Sequence, residues 1–192
     1  MKEISEMGGG KGIKLFEESV LAEYDERELL NEWLESKYSN TELLWRCTTD
    51  GFSASSFHAK CDGKGPTVVI IKSTQGKRFG GFTKTGWQMD NEYRTDHSNW
   101  VFSLTNKTKH KHYRNYDRSM YCGSSYLVVF GGCDCDFRIV NNCNTDGSSY
   151  TNLGFAYECP EGMSYDSDES KSYLAGSSTF FVEELELFLL TE

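Results

Sequence analysis

Asp50-Gly51-Phe52-Ser53-Ala54-Ser55-Ser56-Phe57-His58-Ala59-Lys60-Cys61-Asp62-Gly63-Lys64-Gly65-Pro66-Thr67-Val68-Val69-Ile70-Ile71 reads as one helix-turn-strand unit. Ser53 stands where a helix N-cap belongs, because its hydroxyl can accept a free N–H of the first turn. Phe52 before the cap and Phe57 at the fourth helical position have the spacing of a hydrophobic staple. Gly63 is placed to end this short helix in a left-handed turn, and Pro66 blocks its continuation. Residues 67–71 are β-branched and apolar, the pattern of a strand buried on both faces. Working outward, Gly76 turns the chain and Arg78-Phe79-Gly80-Gly81-Phe82 reads as the returning strand.

Upstream, residues 25–36 read as an amphipathic helix. Asp25 and Glu28 have capping-box spacing, and Leu29, Leu30, Trp33 and Leu34 form its apolar stripe. Residues 13–21 are expected to form a first strand or an extended arm. Residues 1–12, with Gly8-Gly9-Gly10, are expected to be a flexible tail ahead of a single domain at 13–190. Downstream, strands are expected at 100–104, 119–121, 126–130 and 137–140, with loops at 90–99, 141–149 and 160–172 and a core anchor at Trp87. Residues 179–189 alternate, with Val182, Leu185, Leu187 and Leu189 set against Glu184 and Glu186 and with Phe188 out of step. The last strand is therefore expected to be half exposed, its glutamates outward. Many short strands between turn signals predict an α+β, mainly β fold: a two-sheet antiparallel β-sandwich with two or more short helices.

The 192 residues suffice for one domain with a substantial core, and 12 Phe, 11 Tyr and 4 Trp are available to fill it. No apolar run is long enough to span a membrane, and Met1–Gly12 lacks a hydrophobic signal core, so a cytoplasmic protein without membrane insertion is expected. Seven cysteines in that setting read as free thiols. The net charge of −9 is unevenly spread: residues 1–44 carry 11 acids against 5 bases, 45–157 carry 9 against 14, and 158–192 carry 9 against 1. This polarity suits steering of a charged protein partner, and the acidic total disfavours nucleic acid. Glu183, Glu184 and Glu186, in the acidic C-terminal region, are the candidate partner-contact residues.

Candidate chemistry is sparse. Cys133-x-Cys135 with Cys143, His110 and His112 lacks the spacing of a zinc site. Asp134, Asp136, Asn141, Asn142, Asn144 and Asp146 do not match a calcium loop and read as turn residues. Ser53 and His58 lie five apart on one helix, where side chains do not meet, and no G-x-S-x-G elbow accompanies them. Gly8-Gly9-Gly10-Lys11-Gly12 lacks the spacing of a phosphate loop. Cys61 near a helix C-terminus and Cys135 between Asp134 and Asp136 sit in fields that disfavour a thiolate, which argues against direct peroxide chemistry. Asp50, Gly51, Ser53, Phe57, Gly65, Pro66, Gly80, Gly81, Gly131, Gly132 and Gly176 are read as architectural. No catalytic residue, metal or cofactor is expected.

An ordered set of motifs carries a resemblance. Leu44-Trp45-Arg46 precedes the opening stretch, and Phe79-Gly80-Gly81 follows it. Phe130-Gly131-Gly132 comes next, with Asp134 and Asp136 behind. Tyr173-Leu174-Ala175-Gly176 and Phe181-Val182-Glu183-Glu184-Leu185-Glu186-Leu187 close the series. Over roughly residues 15–190 the chain resembles the TLDc domain of oxidation-resistance proteins. The resemblance implies two antiparallel sheets with a pair of helices, and a non-catalytic protein-binding role in oxidative-stress protection. It further implies regulation of the vacuolar-type proton ATPase by docking on its head and stalk subunits. Trp45 in place of tyrosine, Leu127-Val128-Val129 before Phe130, and the His-rich stretch 107–114 depart from the common metazoan pattern and suggest a protist member. The alternative is a structural or scaffold subunit of a large cytoskeletal or ciliary assembly.

Overall fold

A computed structural model describes residues 14–132 and 135–192; the expected tail at 1–12 and the Cys133-Asp134 pair lie outside them. The helices are α1 (Tyr24–Trp33), α2 (Cys47–Asp50), α3 (Ala54–Cys61) and α4 (Asp168–Ser172), with a 3-10 turn at Tyr116–Arg118. Strands β1 (Asn40–Arg46), β12 (Val182–Thr191), β2 (Thr67–Ser73), β3 (Arg78–Thr83), β5 (Trp100–Ser103) and β6 (Thr108–Lys111) form one sheet in that order. Strands β11 (Thr179–Phe180), β10 (Ser149–Thr151), β9 (Phe137–Val140), β8 (Tyr126–Phe130), β7 (Met120–Cys122) and β4 (Glu92–Arg94) form the other. Every described pairing is antiparallel.

The first sheet is buried on both faces, which is why β2 has no polar alternation. Val69, Ile71, Phe79, Val101, Leu185 and Leu187 face the second sheet and meet Leu127, Val128, Phe130, Phe137 and Ile139. Phe79 stands edge-on to Phe137 at 5.4 Å and to Phe180 at 5.7 Å. Val68, Ile70, Phe82, Phe102, Phe188 and Leu190 face the opposite way, under a cover built from Leu15, Phe16, Leu21, Leu30, Leu34 and Tyr38. The molecule thus has three layers, and alternate residues of each central strand serve different cores.

This layering corrects several expectations. Residues 14–22 form turns rather than a strand; Phe16 is fully buried, 5.2 Å from Phe188, and its N–H donates to Thr41 Oγ1 at 2.7 Å. Helix α1 begins one residue earlier than expected, with its capping box formed by Glu23 and Glu26 rather than Asp25 and Glu28. The expected loop at 90–99 contains β4, and the acidic loop at 160–172 contains α4, capped by Ser167. The His-rich stretch 107–114 supplies β6, paired with β5.

The opening unit is placed as its residues suggest, with one change. Ser53 occupies the N-cap position of α3 but makes no side-chain cap; its hydroxyl lies 2.9 Å from that of Ser55, and Asn141 Oδ1 accepts the Ala54 N–H at 2.8 Å. Phe57 is fully buried between Trp45 at 5.8 Å and Trp87 at 6.4 Å. Asp50 accepts from the Arg46 N–H and from Lys60 Nζ, and Gly51 ends α2. Gly65 precedes a cis Pro66, whose carbonyl accepts from Leu190. Gly80 backs onto the Val69 carbonyl and the Phe102 ring, and Gly176 turns the chain beside Gln75. At Gly81 a Cβ would sit 2.6 Å from the Phe130 ring, so a glycine lets the two sheets close there.

Candidate interaction site and its supporting carboxylates

The three glutamates of the acidic terminal strand have different environments. Glu184 and Glu186 are buried, contrary to the outward placement expected from alternation. They share the face of Phe188 and Leu190, and that face lies under the N-terminal cover. Glu186 is fully buried and accepts four hydrogen bonds: from Ser19 Oγ at 2.5 Å, Val20 N–H at 3.0 Å, and Arg46 Nε and Nη2 at 2.9 and 2.7 Å. Arg46 also donates to the Glu18 carbonyl. Glu184 accepts from the Thr48 N–H at 3.1 Å, from the Thr48 hydroxyl, and from the Leu185 N–H at 3.0 Å, so it fixes α2 against β12. A second, largely buried pair, Arg78 with Glu26 at 2.6 Å, pins α1 from the other side.

Glu183 is the exposed member. A register irregularity between Val182 and Glu184 turns it out of the alternation, and its carboxylate pairs with Lys72 at 2.7 Å in a half-exposed bridge. Phe181, two residues before, is 44% exposed although its backbone is held between the turns after β2 and β9: its carbonyl accepts from the Thr74 N–H at 3.0 Å, and the Val182 N–H donates to the Cys143 carbonyl at 2.9 Å. An exposed aromatic on a fixed backbone beside a loosely paired carboxylate has the make-up of a protein-contact point.

The Phe130-Gly131-Gly132 motif belongs to a different construction. Asp136 is completely buried and accepts from four successive backbone N–H groups: Gly154 at 2.7 Å, Phe155 at 3.0 Å and Tyr157 at 3.3 Å on Oδ1, and Ala156 at 2.8 Å on Oδ2. Burial pushes its carboxyl up to about 7, against the opposing pull of those N–H donors. Gly131, at φ +89°, passes so close that a Cβ would lie 2.7 Å from Asp136 Oδ2. Gly132 packs on Arg118 and Phe155.

Cys47, Cys61, Cys122 and Cys159 are not activated. Burial pushes Cys61 up to about 12 and Cys122 up to about 11, and it raises Cys159 as well. Cys47 is raised by its contact with the Cys143 thiol and by burial. Burial, rather than the helix field expected from sequence, dominates at Cys61. Cys135 lies in the β8–β9 connection and not on a strand. His58 bridges Asp62 at 2.6 Å and the Tyr126 carbonyl at 2.9 Å, tying α3 to β8, so its ring is engaged away from Ser53. Among the described residues no three or more His, Cys, Asp or Glu side chains are grouped to hold a metal ion. No helix among them is long and apolar enough to cross a membrane.

His110 predicts a pH dependence. The ring is buried, with Nε2 2.9 Å from Thr108 Oγ1, and burial drops it from 6.5 to about 4. The unfolded chain therefore takes up this proton first as pH falls, so the contribution of His110 to stability is intact above about 6.5 and is lost as pH falls towards 4. Asp136, with its raised value, acts with the opposite sign between about 3.8 and 7. Denaturant unfolding of wild type and His110→Gln across this range isolates the histidine. The variant should gain relative to wild type by up to about 3 kcal/mol on going from pH 6.5 to pH 4.

Two antiparallel sheets under a helical cover, with glycines at the sheet contact and a buried aspartate behind the second Phe-Gly-Gly, define the class. A family model described as the TLDc domain matches residues 15–191, and the chain belongs to that family. The chain is also similar to the MTOR-associated protein MEAK7 of Danio rerio, 31% identical over 62 residues that cover 32% of this chain and 14% of that protein. With the MTOR-associated protein MEAK7 of Gallus gallus it is 33% identical over 91 residues, 47% of this chain and 19% of that protein. The matches thus span less than a fifth of either relative.

Proposed function

We propose that this chain is a non-catalytic protein-binding module that docks on a large regulatory assembly through the Phe181–Glu183 corner. The family match over residues 15–191 carries the reading. Phe181 supplies the apolar anchor and Glu183 a carboxylate that exchanges Lys72 for a basic group on the partner. Glu184 and Glu186 serve the same surface indirectly, by fixing β12 beneath it. The partner the family suggests is the head and stalk of the vacuolar-type proton ATPase, whose assembled and dissociated states a bound module would rebalance. The relatives' name, MTOR-associated protein, favours a second partner, an mTOR-containing complex. Protection against oxidative stress then runs through the partner, since burial raises Cys61 and Cys122 rather than activating them.

The test is co-sedimentation of the purified protein with purified proton-pump head and stalk sectors, wild type against a Phe181→Ala/Glu183→Lys double variant. Wild type should sediment with the sectors. The variant should bind at least about tenfold more weakly, as expected for loss of an anchor and reversal of a charge. Its stability should change by about 1 kcal/mol or less, because both sites are exposed. Equal binding by the two proteins would remove this corner from the interface.

A further inference from the structure

The described residues form two apolar cores, one between the sheets and one under the N-terminal cover, and neither lies on the outer face of the second sheet. That face carries one row of side chains across five strands. Tyr93 of β4 pairs with Tyr121 of β7, and the Met120–Phe130 pairing sets Tyr121 beside Val129 of β8. Val129 pairs with Arg138 of β9, and Arg138 with Tyr150 of β10. Their sequence neighbours Met120, Phe130, Phe137 and Ile139 point into the core between the sheets, so alternation turns the row outward.

The row is aromatic and cationic. Tyr121 lies 5.0 Å from Tyr93 and 6.2 Å from Tyr126. The Arg138 guanidinium stands 5.0 Å over the Tyr150 ring, and Arg118 stands 5.4 Å over Tyr93 at the other end. Arg138 makes no ion pair among the described residues, and Arg118 pairs with the exposed Asp117 at 3.6 Å. A hollow of about 260 Å³ opens in the row, lined by Tyr121, Tyr126, Val129 and Arg138 with no carboxylate among its described lining residues. Tyrosine and arginine are the side chains that the centres of protein contacts favour. A guanidinium held over a ring is pre-ordered, and its N–H fork matches a carboxylate in two parallel bonds.

We propose that this face docks an acidic segment of a protein partner, with a carboxylate on Arg138 and a neighbouring apolar side chain in the tyrosine-lined hollow. The inference rests on the protein-binding reading above for its class of partner and assigns a second surface, separate from the Phe181–Glu183 corner. Charge complementarity selects the occupant. A guanidinium without an ion pair, at an opening free of described carboxylates, attracts an anion and rejects a basic segment. Arg118 and Arg138 on a chain of net charge −9 are a poor match to a nucleic-acid backbone, which needs a run of cations.

NMR titration of the purified chain tests it with three probes: a capped peptide of glutamates around one phenylalanine, the same peptide with lysines for the glutamates, and an oligothymidine strand. The acidic peptide should bind saturably and shift the Arg138 Nε–H and Tyr121 ring signals. Arg138→Gln should weaken it at least about tenfold, as for loss of charge-assisted hydrogen bonds. Should that variant unfold, Arg138→Lys, which keeps the charge and loses the fork, carries the test with a loss of at least about threefold. The Phe181→Ala/Glu183→Lys variant should bind the acidic peptide as wild type does, so the two surfaces fail separately. No saturable binding, equal binding of the lysine peptide, binding of the oligothymidine alone, binding undiminished in the arginine variants, or an equal loss in the corner variant would each overturn it.

Discussion

Glu186→Ala is expected to lower the unfolding free energy by about 3 kcal/mol and to release the cover formed by residues 15–22. The carboxylate is fully buried and is the acceptor for Ser19, Val20 and Arg46 at once. Removing one member of a buried pair typically costs about 3–5 kcal/mol, because the other charge stays behind. Here the Arg46 side chain is 20% exposed and can partly turn to water, so the lower end applies. The Val20 N–H and the Ser19 hydroxyl lose their acceptor as well. Urea unfolding should therefore show a lower midpoint, and hydrogen exchange should accelerate across 15–22 more than in β2 or β3. Replacing both partners, Arg46→Met with Glu186→Leu, should recover much of the loss, since a well-packed apolar pair avoids the stranded charge. A loss below 1 kcal/mol with unchanged exchange would mean that apolar packing of Phe16 on Phe188 holds the cover without the carboxylate.

Asp136→Asn, an isosteric change, is expected to cost about 3 kcal/mol. Both carboxylate oxygens face N–H donors: three on Oδ1 and one on Oδ2. An amide presents one oxygen and one NH₂, so whichever way it turns, a donor meets a donor in a fully buried site. The four N–H groups belong to residues 154–157, and the Asp136 backbone itself bonds Phe130 and Asn152, so this one residue ties the end of β8 to the loop that follows β10. The expected signature is a lower thermal midpoint, with exchange of the 154–157 amides faster than in wild type. A near-neutral asparagine would mean that the loop is held by packing of Ala156 and Tyr157 and not by the carboxylate.

The β2–β3 hairpin and α3 were legible because their signals are local: a glycine turn, a capping position, and a strand apolar on both faces. The short strands β4, β6 and β10 carry polar or charged residues, and pairing partners distant in sequence specify them, so no local pattern announces them. Helix α4 spans five residues, too few for a periodic stripe. Alternation points Glu184 and Glu186 outward because it separates two faces without saying what covers each. The signal that would have placed them inward was Phe188: with Leu190 it continues the glutamate face, and two large apolar residues there indicate a second buried layer. The polar partners of Glu186 come from residues 19, 20 and 46, about 140 to 167 positions away, a separation at which spacing arguments have no reach.

The measurement that tests the protein-binding account most directly is an affinity pull-down of the tagged chain from its own cells, quantified by mass spectrometry against the Phe181→Ala/Glu183→Lys variant. The account predicts recovery of proton-pump head and stalk subunits, or of an mTOR-containing complex, with wild type and their loss with the variant. Recovery of cytoskeletal or ciliary proteins alone, undiminished in the variant, would contradict it and make this TLDc domain a structural part of another assembly.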